Sequence, residues 1–118
     1  MKWPGTLVLA SALALAAAAS HGHTTREGAL RYLALGDSYT IGEGVDSAGR
    51  WPVQLANALR ARKLDVADPE IIARTGWTTD ELAAGIKAAA PRGPYALVSL
   101  LIGVNNQYRG RDAEQYRA

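Results

Sequence analysis

A chain of 118 residues is long enough for one small domain and too short for two. It contains no cysteine, which excludes disulfides, thiol catalysis, thiolate metal sites and a lipid-modified cysteine behind a leader. The formal net charge of +2 is close to balance, and the one basic cluster, Arg60, Arg62 and Lys63, has no aromatic or basic stripe beside it; it reads as a solvated helix end, and nucleic acid is not an expected partner.

Met1 to Gly5 is short and carries one positive side chain, Lys2. Thr6 to Ala19 is a run of Leu, Val and Ala broken only by Thr6 and Ser11, and small residues crowd Ala16 to Ser20. This charged, apolar, small-residue order predicts a signal peptide over residues 1–20, cleaved near Ala19 or Ser20, and hence a secreted or periplasmic product with no stable membrane insertion after cleavage. The alternative is an uncleaved tether, but the apolar run is about 14 residues where a span needs about 20. Residues 21–29 are polar and glycine-punctuated and read as a flexible linker. They hold the only two histidines, His21 and His23; a metal site would need further ligands, so these read as a solvated tail.

The body of the chain is residues 30–118. Leu30 to Leu35 is a first strand whose continuous apolar end suggests burial on both faces. It runs into Gly36-Asp37-Ser38-Tyr39, where Gly36 is expected to allow a tight exit through backbone angles that other residues avoid. Trp51 to Lys63 is a helix: Pro52 suits its first turn, Trp51, Leu55 and Leu59 share one face, and Arg62 and Lys63 favour the dipole of its last turn. Glu70 to Arg74 is a short second strand ending in Thr75-Gly76-Trp77. Thr78 and Glu81 form a capping-box pattern that opens a second helix, running through Ala90 and stopped by Pro91 to Pro94. Tyr95 to Ile102 is the most apolar strand, as expected for a central parallel strand, and ends in Gly103-Val104-Asn105-Asn106-Gln107. Asp112 to Ala118 begins a further helix.

Alternating strands and helices predict a parallel sheet covered by helices, and in such sheets ligands bind at the carboxyl ends of the strands. Ser38, Gly76 and Asn105 all fall at that edge. Ester acyl transfer needs a nucleophile, a base and donors for the developing oxyanion. Ser38 offers a hydroxyl, the N–H groups of Ser38 and Gly76 are candidate donors, and the Asn105 amide is a third. For Asp37, an acid partner and a turn cap are both open; so are a polar contact and a turn role for Asn106, and cleft lining and packing under the turn for Trp77. Glu43 and Asp46 read as solvated loop residues, with an acid pair or cation site as the other option. Gly42 and Gly44 do not complete a dinucleotide-binding pattern.

Taken together, these blocks resemble the SGNH hydrolases, also called GDSL esterases and lipases. Gly36-Asp37-Ser38-Tyr39 is similar to their first block, with Tyr39 where Leu is usual; Gly76 is similar to the second-block glycine; Gly103-Val104-Asn105-Asn106 is similar to Gly-x-Asn-Asp, with Asn106 in place of Asp. The resemblance covers about residues 30–118. It implies a flavodoxin-like three-layer α/β/α fold, incomplete at its C-terminal side. It also implies a serine hydrolase acting on small-molecule esters without a cofactor or metal, with Ser38 as nucleophile and Ser38, Gly76 and Asn105 as the oxyanion hole. The family's late Asp-x-x-His block, which supplies the base, does not occur in these 118 residues. The expectation is therefore the N-terminal portion of such an enzyme; the alternative is an inactive fragment or a ligand-binding module that keeps the cleft without turnover. A sheet missing strands would also expose the apolar Tyr95 to Ile102 strand as an aggregation-prone edge.

Overall fold

The fold is taken from a computed structural model, which describes residues 27–117. The predicted signal peptide, most of the linker, and His21 and His23 lie outside the described residues.

Three strands form one parallel sheet: β1 (Tyr32–Gly36), β2 (Glu70–Ala73) and β3 (Leu97–Leu101), in the order β2-β1-β3. The register is level at the carboxyl end, where Gly36 pairs with Ala73 on one side and Leu101 on the other. Each strand feeds a helix at that end. After β1 comes α1 (Ser38–Ile41), then a short 3-10 turn at Ser47–Gly49 and α2 (Trp51–Ala61); after β2 comes α3 (Thr79–Ala89); after β3 come α4 (Val104–Tyr108) and α5 (Ala113–Arg117).

The side chains of β1 alternate across the sheet, as strand geometry requires. Tyr32 and Ala34 pack with Ala56, Leu55 and Leu59 of α2. Leu33 packs with Leu82 and Ile86 of α3. Helices therefore cover both faces of β1, giving the three-layer α/β/α arrangement predicted from the sequence. The order 2-1-3 is the beginning of a doubly wound, flavodoxin-like sheet.

Several element ends, one helix and one placement differ from expectation: β1 begins at Tyr32 rather than Leu30, and β3 spans Leu97–Leu101 rather than Tyr95 to Ile102. Helix α2 ends at Ala61 rather than Lys63, because Lys63 adopts a left-handed φ of 68°. The Leu64 N–H then reaches back to the Leu59 carbonyl and the Lys63 N–H to the Arg60 carbonyl, a Schellman-type ending with lysine where glycine is usual. The segment from Gly103 was expected to be a turn and instead starts α4. The central strand is β1, buried along nearly its whole length, whereas β3 lies at an edge with Val98, Leu100 and Leu101 exposed. Apolar content marks both as sheet strands but does not tell which of them is flanked on two sides.

Candidate active site

At the carboxyl edge, Gly36 leaves β1 with no room for a side chain. A β-carbon there would lie 2.1 Å from Thr40 Oγ1 and 2.6 Å from the Leu101 carbonyl oxygen. The glycine is needed for this close approach of α1 and β3. Its φ is not in the left-handed region, which corrects the expectation from the sequence. Asp37 caps α1: Oδ1 accepts from the Tyr39 N–H at 3.0 Å, and the residue is 1% exposed. Its role as a cap resolves the choice left open by the sequence. Ser38 is thus the first residue of α1 and half-buried. Its N–H belongs to the helix's first turn, where no carbonyl within the helix can accept it. Among the described residues its hydroxyl has no hydrogen-bond partner.

The loop after β2 brings Gly76 to the same edge. Gly76 has φ +84°, a left-handed conformation that favours glycine. Trp77, beside it, packs under the loop: a β-carbon on Gly85 of α3 would lie 2.3 Å from the indole Cη2. The Thr75 hydroxyl donates to the Glu43 carboxylate, which ties this loop to the one after α1. Glu43 is therefore an anchor between loops and not simply a solvated residue.

Helix α4 supplies the third side of the site and grips the same loop at consecutive residues. Asn105 Nδ2 donates to the Trp77 carbonyl at 2.9 Å, leaving its second N–H free of that bond. Arg109 Nη2 donates to the Gly76 carbonyl at 2.7 Å. Asn106, 3% exposed, accepts from the Thr79 N–H at 3.0 Å through Oδ1 and donates to the Thr79 hydroxyl at 2.9 Å through Nδ2. Asn106 is thus a satisfied buried amide that fixes the start of α3. Gly103 enters α4 with φ +125°, and Tyr116 of α5 lies where a β-carbon would project.

Two carboxylates at the start of α3 are paired, Glu81 with Arg109 and Asp80 with Arg111. Thr78 and Glu81 form the predicted capping box at α3. Hydrogen bonds from the Thr78 N–H, and then from Arg109, hold the Glu81 carboxyl below the usual glutamate range. Asp80 is lowered as well, first by the Thr78 hydroxyl and with further help from Arg111. The parts of the site that sequence reasoning missed are α4 itself and the grip of Asn106 and Arg109. The available signal was the spacing of Asn105 and Arg109, four residues apart and hence on one helix face.

A three-layer α/β/α fold with serine, glycine and asparagine at the carboxyl edge, beside the point where strand order reverses between β1 and β3, defines the open doubly wound α/β class, whose crevices lie at the strand ends. Comparison narrows the class: the sequence profile of the GDSL-like Lipase/Acylhydrolase family matches residues 34–118, and the chain belongs to that family. Among solved structures it is similar to AlinE4, an SGNH-hydrolase family esterase, at 27% identity and a TM-score of 0.66, covering 79% of this chain and 50% of that one. Structures of two variants of that esterase, one serine-to-alanine and one aspartate-to-alanine, are similar at 26% and 27% identity and TM-scores of 0.65 and 0.66, with the same coverage. The chain thus spans about half the length of the esterase it resembles. A search of curated proteins gave no match.

Proposed function

We propose that the chain carries the nucleophile and oxyanion-hole half of a serine esterase. The observation that supports this most directly is the meeting, at one sheet edge, of Ser38 at the head of α1, left-handed Gly76, and Asn105 bonded to the Gly76 loop. In this reading Ser38 Oγ attacks the ester carbonyl carbon and gives its proton to a general base. The oxyanion accepts hydrogen bonds from the N–H groups of Ser38 and Gly76 and from the free N–H of Asn105. The alcohol leaves with a proton, and water then hydrolyses the acyl-enzyme by the same steps. Loss of one such donor typically slows the chemistry about a hundred- to a thousand-fold. The base is expected from the half of the fold that this chain does not span, in an Asp-x-x-His block. Export directed by residues 1–20 accompanies the proposal, and mass spectrometry of the mature N-terminus tests it.

The alternative reading from the sequence is a module that binds an ester or acyl ligand without turnover. Hydrolysis of short p-nitrophenyl esters by the protein extended through an Asp-x-x-His block, wild type beside Ser38→Ala, separates the two. Turnover that disappears in the variant supports the esterase. Equal rates with saturable ligand binding support the module.

A further inference from the structure

Beside the packing of Trp77 under the Gly76 loop, polar bonds from α4 and its C-terminal cap reach the loop at two successive carbonyls, those of Gly76 and Trp77. Glycine populates left-handed and right-handed φ about equally, so the residue type alone does not keep Gly76 at +84°, and the turn bond across it, Trp77 N–H to the Arg74 carbonyl, is a long 3.2 Å. Nor does crowding: a β-carbon added there would find its nearest heavy atom 3.5 Å away, and that atom is Arg109 Nη2. The guanidinium uses its planar fork on two acceptors at once. Nη2 donates to the Gly76 carbonyl at 2.7 Å, and Nη1 donates to Glu81 Oε1 at 3.0 Å. The other carboxylate oxygen, Glu81 Oε2, accepts from the Thr78 N–H at 2.9 Å. Arg109 therefore joins the middle of the loop to the cap of α3, the rigid element that follows it.

Resting on the esterase reading above, we propose that Arg109 is the positioning residue of the Gly76 donor: its guanidinium, braced on Glu81, holds the Gly76 carbonyl and so keeps the glycine in its left-handed conformation. Arginine suits this role because two rigidly spaced N–H groups can serve two oxygens, while a lysine ammonium is a point charge on a flexible stem. The pair is partly solvent-exposed, with side-chain exposures of 42% for Arg109 and 36% for Glu81. Exposed ion pairs add little to global stability. The role is thereby separable from a merely structural one: removing Arg109 frees the loop without unfolding the domain.

The test uses the full chain as wild type, Arg109→Ala and Arg109→Lys, with three readouts: the rate at which a fluorophosphonate probe phosphonylates Ser38 Oγ with loss of fluoride, amide hydrogen exchange at residues 76–78, and the thermal midpoint. The expected result for Arg109→Ala is labelling slowed about tenfold, a fraction of the cost of losing a donor outright. Exchange at 76–78 accelerates by a similar factor, the midpoint is nearly unchanged, and Arg109→Lys falls between. Wild-type labelling by Arg109→Ala overturns the proposal, as does a loss of midpoint with exchange raised equally across the domain. If the wild-type chain itself does not label, the base it does not carry accounts for that, and the esterase reading is decided by the ester assay above. Exchange then decides the positioning role, and unchanged protection at 76–78 in Arg109→Ala overturns it.

Discussion

Two glycines at the edge of the sheet do different physical work, and substitution distinguishes them. At Gly36 the obstacle is space, since an added β-carbon overlaps the Leu101 carbonyl and Thr40. At Gly76 there is room, and the obstacle is the backbone conformation. Gly76→Ala is expected to cost about 1–2 kcal/mol, the penalty of a left-handed L-residue. Gly36→Ala should cost more, about 3 kcal/mol, because a backbone carbonyl cannot move aside as a flexible side chain does. Urea denaturation of the two variants checks the order; a larger loss for Gly76→Ala would contradict it. Both glycines are legible in the sequence as turn residues. The reason for Gly36 is not, because it depends on a strand end about 65 residues further along the chain. Asp37 shows the same limit: its neighbours identify a turn, but only the hydrogen bond to the Tyr39 N–H shows that it caps a helix.

At the scale of the elements, α2 and α3 are legible because each carries its own signal: apolar residues four apart in α2, and the Thr78–Glu81 box in α3. Helices α1 and α4 are not, since four or five residues are too few for a periodic pattern and their contacts with distant loops define them. The left-handed Lys63 behind α2 is likewise silent in the sequence. Lys63→Gly keeps the Schellman-type ending and removes the steric penalty, so it should raise stability by about 1 kcal/mol in chemical denaturation. The start of α3 has its own pH response. Glu81 titrates lower in the folded chain, so its stabilising effect is fully present above the ordinary glutamate range of about 4.3 and is lost as pH falls through the lowered folded value. Thermal melts across pH should show the wild type above Glu81→Gln at pH 7, with the gap closing as pH drops below that range. A gap that persists in strong acid would rule out this carboxylate as its source.

For the whole molecule, strand order was the least legible property. Alternation of strands and helices points to a parallel sheet, and the sheet is parallel. Which strand lies between the other two depends on pairing across long stretches of chain, and β1 holds that place rather than the more apolar β3. As a result β3 presents an open edge whose Val98, Leu100 and Leu101 are 52%, 63% and 47% exposed. Such an edge is a template for pairing with another chain. The 118-residue chain should therefore associate as concentration rises, and Leu100→Lys should reduce light scattering with little change in the thermal midpoint. A wild type that stays monomeric and melts sharply would contradict this.

The grip of α4 on the Gly76 loop also sets an order in time. Asn105 lies 28 residues after Trp77, and Arg109 33 residues after Gly76, so the clasp is made long after the loop it closes. On a growing chain, β1, β2 and α3 are all available to assemble before α4 has been synthesised. The scaffold is built first and the donor loop is locked last. Pulse-labelled exchange during refolding should accordingly find the amides of β1 protected before those of residues 76–78. A nascent chain that follows this sequence makes the loop that carries Gly76 well before the residues that lock it.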